Sequence, residues 1–123
     1  MLLAWGDGLA AQGRDVDCGA AATQSALNMC AAAAQAAAEA EMARAYEALE
    51  MRLSAEGRAA LGEAQGAWEV FRRQHCAFVA GGVAGGSVAP MIYSQCARAQ
   101  SAARTRELSA LMVCAEGDLA CPR

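Results

Sequence analysis

The sequence predicts an all-α protein, a small antiparallel three-helix bundle stapled by disulfides. Three observations point there. Apolar residues recur at steps of three and four over long stretches free of Gly and Pro, the period of one helix face. No stretch alternates apolar and polar β-prone residues over four to eight positions, as a half-buried strand would. Six cysteines sit in a chain of 123 residues whose aromatic content is only 5%.

About a quarter of the chain is alanine, which adds little buried area per residue, so the core is expected to be thin and closely packed. A single domain of this size is near the range where cross-links help. Cys18, Cys30, Cys76, Cys96, Cys114 and Cys121 are separated by 11, 45, 19, 17 and 6 residues, and no C-x-x-C occurs. These gaps match neither a zinc-finger nor a redox-motif spacing, so a disulfide framework and an oxidising compartment are the reading. Reduced, buried cysteines are the bland alternative. Six half-cystines allow 15 pairings, among which sequence alone does not choose.

The opening MLLAWGDGLAAQGRDVDC has a short apolar start, no basic n-region and an early Asp7, a poor signal-peptide core. Residues 1–17 therefore read as an irregular N-terminal segment, consistent with the remnant of a leader, before a helical domain at 18–123. No apolar run reaches the 18 or more residues of a membrane span.

The first helix has no Gly or Pro from Thr23 to Ser54, and Leu27, Ala31, Ala34, Ala38, Met42, Ala45, Leu49 and Leu53 form its apolar stripe. Thr23 is the natural N-cap, although Ala26 cannot complete a capping box. Ser54–Gly57 is a polar break. In the second helix Leu61, Ala64, Trp68, Phe71, His75 and Phe78 recur at heptad spacing and predict one buried stripe. The stretch GGVAGGSVAP at 81–90 ends that helix and reverses the chain, with Ser87 as the expected cap of a third helix and Pro90 in its first turn. That helix, about Pro90 to Met112, offers Ile92, Cys96, Ala99, Ala103, Leu108 and Leu111 inward. The tail VCAEGDLACPR reads as a short loop closed on itself by Cys114 and Cys121.

Chemistry-bearing constellations are scarce. His75, the one histidine, and Cys76 are adjacent on a helix, so their side chains diverge by about 100° and do not make a nucleophile–base dyad. No HExxH or paired-ligand spacing supports a metal, and His75 reads as a packed or half-buried helix residue. Cys76 is better explained by a bridge to Cys96: the two come level when antiparallel helices flank the glycine loop, and such a loop closure is worth about 3 kcal/mol in the chain-entropy model. The GGVAGGS stretch lacks the Lys-Ser/Thr of a P-loop and follows no strand, leaving a turn or a binding loop. Glu39, Glu41, Glu47, Glu50, Glu63 and Glu69 fall off the apolar stripes and read as solvated faces. Met42, Met51, Met91 and Met112 read as core filler or helix-end packing, without the M-x-x-M of a copper site. A net charge of −3 with no lysine excludes sequence-independent phosphate binding, and nucleic acid is not an expected partner. No cofactor is expected.

TQSALNMC at 23–30, Tyr46, QGAWEVFRRQHC at 65–76, GGSVAPMIYSQC at 85–96, then Arg104 and Leu108 in SAARTREL resemble the LprI-like lysozyme-inhibitor domain family. The likeness spans residues 18 to about 112. It implies a bacterial, exported (periplasmic or secreted), all-helical, disulfide-bonded protein with members proposed to inhibit lysozyme. By position it implies half-cystines at Cys18, Cys30, Cys76 and Cys96, and recurrent positions at Thr23, Gln24, Asn28, Tyr46, Gln65, Trp68, Arg72, Gly86, Ser87, Pro90, Arg104 and Leu108. The chain departs from the family pattern at Ala26 and Arg73, where acids are usual, at Ala43 for an asparagine and at Ser101 for a threonine.

Trp68, Tyr46 and Leu108 are the large residues an alanine-rich bundle needs, while Asn28, Gln65 and Arg104 are expected to satisfy one another between helices. The functional expectation is a non-catalytic binding protein that blocks lysozyme or another cell-wall hydrolase. Its 81–93 loop would enter the cleft, with Gly85, Gly86, Ser87, Tyr93 and nearby arginines as contacts. An envelope interaction or immunity-like protein with another target is the alternative, and a thiol enzyme using Cys76 is a third class.

Overall fold

A computed structural model of the protein describes residues 16–123. Residues 1–15 of the expected N-terminal segment lie outside the described residues. Three helices account for the fold: α1 at Gln24–Glu50, α2 at Ala55–Val79 and α3 at Ala89–Ala110. A 3₁₀ turn at Ala80–Val83 prolongs α2, and the described residues hold no strand. This is the all-α bundle that the apolar periodicity predicts.

The helix starts follow local chemistry. The Thr23 hydroxyl accepts the Ala26 N–H at 3.1 Å, and the Ser54 hydroxyl accepts that of Gly57, also at 3.1 Å. Each satisfies one of the donors a helix leaves free at its start. Ser87 does not cap α3. That helix begins after Val88 without a side-chain cap, because Pro90 in its first turn has no N–H and removes one of the donors that needs a partner.

The helices run up, down and up. At one end Asn28 of α1 reaches the Ser87 carbonyl just before α3, and at the other Arg52, just after α1, reaches the Met112 carbonyl just after α3, so α1 and α3 are parallel. Those two form the most extensive interface; α2 packs mainly on α3 and touches α1 more lightly. The α1 stripe is as expected, with Met42, Leu49 and Leu53 buried and the alanines half-buried. On α3 the face is shifted: Ser94, Ala97, Ser101 and Leu108 are buried, whereas Ala99 and Leu111 are exposed. Small residues occupy the α1–α3 seam because helix axes approach closely only where side chains are short.

The α2 stripe needs a larger correction. Leu61, Trp68 and His75 are half-buried, but Ala64, Phe71 and Phe78 are exposed, Phe78 at 82%. The buried positions are Gln65, Cys76 and Ala80, with Arg72 half-buried between them. Apolar counting leaves Gln65 and Arg72 off the stripe. Gln65 is buried with Arg104 as its partner, as the sequence reading expects of that pair, and burial of a hydrogen-bonded polar group costs far less than that of an orphan. Arg72 is paired through Nη1 and keeps a buried Nε with no hydrogen-bond partner among the described residues. The Gln65 amide oxygen accepts from the Arg104 Nε at 3.0 Å and its nitrogen meets the Met42 sulfur at 3.6 Å. Arg72 lies over the Trp68 ring, pairs with Glu39 of α1 at 3.1 Å and reaches the Ser101 hydroxyl of α3. Glu39 is thus half-buried in an ion pair and not on a solvated face. His75 stacks on Phe71, ring centres 5.2 Å apart.

Large apolar side chains gather at one end. Met42, Leu49, Leu53 and Leu108 form the core cluster, with Tyr46, Leu61, Trp68 and Met112 against it, toward the α1–α2 turn. The opposite half contains alanine, serine and two disulfides, Cys18–Cys30 and Cys76–Cys96. Cys114–Cys121 closes the tail, as the sequence suggests.

Candidate recognition surface

Where bulky side chains run out, the chain builds a loop of hydrogen-bonded turns. After the 3₁₀ turn the backbone makes successive tight turns: Ala84 N–H to the Gly81 carbonyl at 3.3 Å, Gly86 to Val83 at 2.9 Å and Ala89 to Gly86 at 3.2 Å. Gly85 has φ of +81°, a conformation that residues with a Cβ rarely adopt, so glycine is required there. The loop is therefore a folded unit in its own right.

It is also anchored on both sides. Cys76–Cys96 clamps its two stems with Cα atoms 5.5 Å apart, an ordinary disulfide span. From α1, the Asn28 amide donates to the Ser87 carbonyl at 2.9 Å, and Gln24 in turn donates to the Asn28 oxygen at 2.8 Å and contacts the Met91 sulfur. Cys18–Cys30 holds the segment before α1 beside this first turn. Asn28 consequently serves the loop, which corrects the expectation that it would join Gln65 and Arg104; those two pair with each other deeper in the bundle. Residues bonded to neighbours on adjacent turns satisfy what lies near, and Asn28 is at the wrong end of α1 to reach the core pair.

Between the stems lies a shallow depression of about 450 Å³, lined by Ala77 and Ala80 of α2, Gly85 and Gly86 of the loop, and Pro90 and Tyr93 of α3. Its floor is methyl and backbone, and Tyr93 is its only aromatic wall. Phe78, Val79 and Val83 are exposed in the same stretch of chain. Of the four loop residues singled out in sequence, Gly85, Gly86 and Tyr93 come together here, while Ser87 is exposed and contributes its carbonyl to the Asn28 anchor. Sequence inspection does not find the alanine lining or the exposure of Phe78. The available signal is the run of small residues from Ala77 to Ala89, which leaves nothing to fill the gap between the stems.

Cys76 is fully buried and disulfide-bonded, and all six cysteines are paired, so no thiolate is at hand. Among the described residues no group of three or more His, Cys, Asp or Glu is placed to hold a metal ion. No described helix is long and apolar enough to cross a membrane. The recess is apolar and its rim is hydrogen-bonded backbone.

A protein-family model described as "Lysozyme inhibitor LprI" matches residues 17–108, which takes in the first two disulfides and all three helices up to Leu108. No curated protein and no solved structure matches the chain.

Proposed function

The chain belongs to the LprI lysozyme-inhibitor family, and we propose from that premise that it is an exported binding protein that inhibits lysozyme or a related cell-wall muramidase by occlusion. The 81–93 segment, the turns of the loop together with the first turn of α3, enters the target's substrate groove, with Gly85, Gly86, Ser87 and Tyr93 as contacts. Export is supported by three disulfides, which persist in oxidising compartments. The role is binding without catalysis.

The observation that carries the loop assignment is its fixed conformation. A loop tied by Cys76–Cys96, by Asn28 and by its own turns has already lost most of the freedom that docking would otherwise remove. The shallow apolar depression lined by Tyr93 and Pro90 offers a surface that a partner side chain would desolvate on docking, the setting in which binding energy concentrates.

A turbidity assay on cell walls tests the reading directly. Pure disulfide-bonded protein is expected to suppress muramidase activity at near-stoichiometric ratios. Tyr93→Ala and Gly85→Val should each weaken inhibition about tenfold or more, as loss of a central contact or of the loop's shape would. Full muramidase activity at a large molar excess of folded protein would discard it.

A further inference from the structure

We infer, resting on the inhibitor reading above, that Arg73 is a specificity-determining contact whose guanidinium meets a carboxylate in the partner's groove while an apolar part of that groove covers the depression. Arg73 is exposed and makes no ion pair or side-chain hydrogen bond with any described residue. Its neighbour Arg72 is committed to Glu39, and Arg104 to Gln65 and Glu107. Arg73 precedes the pocket-lining Ala77 and Ala80 by four and seven residues, so it shares their helix face, about 6 Å along the axis from Ala77. An arginine stem spans that distance.

Charge is sorted along the molecule. From Val70 to Arg106 the chain contains no Asp or Glu, and neither does α1 from Gln24 to Ala38. Asp17, the acid nearest this end of α1, accepts the Gly19 N–H. Glu69, four residues before Arg73, forms no ion pair with it. Among the described residues, Glu41, Glu47, Glu50, Glu56, Glu63, Glu116 and Asp118 lie in the other half. Among the described residues, the loop end thus presents an apolar recess with the unpaired Arg73 guanidinium one helix turn from it, and no carboxylate lines the recess.

That pairing fits a groove with ionised carboxylates next to sugar-binding apolar walls. Glycoside hydrolysis requires two carboxyl groups flanking the scissile bond, and a guanidinium fork receives a carboxylate through two parallel hydrogen bonds. A surface rich in acids would be repelled from such a groove.

The test compares Arg73→Glu and Arg73→Lys with Arg44→Glu, an equal charge change at an exposed position in the other half. Inhibition constants are measured at low and high ionic strength, and binding is measured by calorimetry to muramidase variants whose groove carboxylates are converted one at a time to amides. Arg73→Glu is expected to weaken inhibition by about tenfold or more at low salt, Arg73→Lys by less, and Arg44→Glu by under about threefold. One amide variant should lose affinity for the wild-type protein but not for Arg73→Glu. Equal effects of Arg73→Glu and Arg44→Glu, with no such coupling, would overturn the Arg73 contact and leave the inhibitor reading intact. Failure of the wild-type protein itself to inhibit would remove both.

Discussion

Replacing both Cys76 and Cys96 by alanine isolates what the loop staple contributes. The bridge joins residues 20 apart, against 12 for Cys18–Cys30 and 7 for Cys114–Cys121. In the chain-entropy treatment these separations correspond to about 3.3, 2.8 and 2.4 kcal/mol at room temperature. Cys76 is fully buried, so its removal also leaves a small void worth roughly 1 kcal/mol more, whereas Cys18 and Cys114 are exposed. The expected total is about 4 kcal/mol, which for a domain of this size lowers the melting temperature by about 15 °C. Calorimetry or circular dichroism under non-reducing conditions reads this, provided unfolding is reversible. The tail variant lacking Cys114 and Cys121 should lose roughly half as much. A shift below about 4 °C for the Cys76/Cys96 variant, or equal shifts for it and the tail variant, would refute the reasoning that cross-links replace bulky packing in the loop half.

Leu108 is fully buried in the core cluster, so Leu108→Ala should cost about 3–4 kcal/mol, seen as a lower urea midpoint at unchanged slope. Arg104→Met leaves the buried Gln65 carbonyl oxygen without its donor and should cost about 1–3 kcal/mol; adding Gln65→Leu should recover most of it, which a double-mutant cycle measures. Phe78→Ser should change stability by less than about 0.5 kcal/mol, because the ring is 82% exposed, yet weaken muramidase inhibition if the partner also covers the exposed apolar side chains of the same stretch. A loss of several kcal/mol at Phe78 would instead restore the buried stripe that the heptad spacing suggests.

What the sequence by itself determined was the set of local choices. Thr23 and Ser54 mark helix starts because a hydroxyl one turn ahead of free N–H groups caps them wherever the helix goes. The Gly-rich stretch at 81–90 ends α2 and turns the chain regardless of context. The α1 stripe is legible because its inward residues are plainly apolar. The Cys76–Cys96 pairing follows from two antiparallel stems of known length.

Tertiary structure alone decided which way α2 and α3 face and which surface remains open. Residue type already pairs Gln65 with Arg104, but periodicity counts apolar residues and leaves Arg72 off the stripe, whereas Glu39 and Ser101, 29 or more residues away, meet its Nη1 and draw it between the helices with Nε left unpartnered. That rotation exposes Phe71 and Phe78 and sets Arg73 below the alanine-lined recess. Such partners are distant in sequence, so no local pattern records them. The recess exists because small residues leave space once the disulfide fixes how far apart the two stems stand.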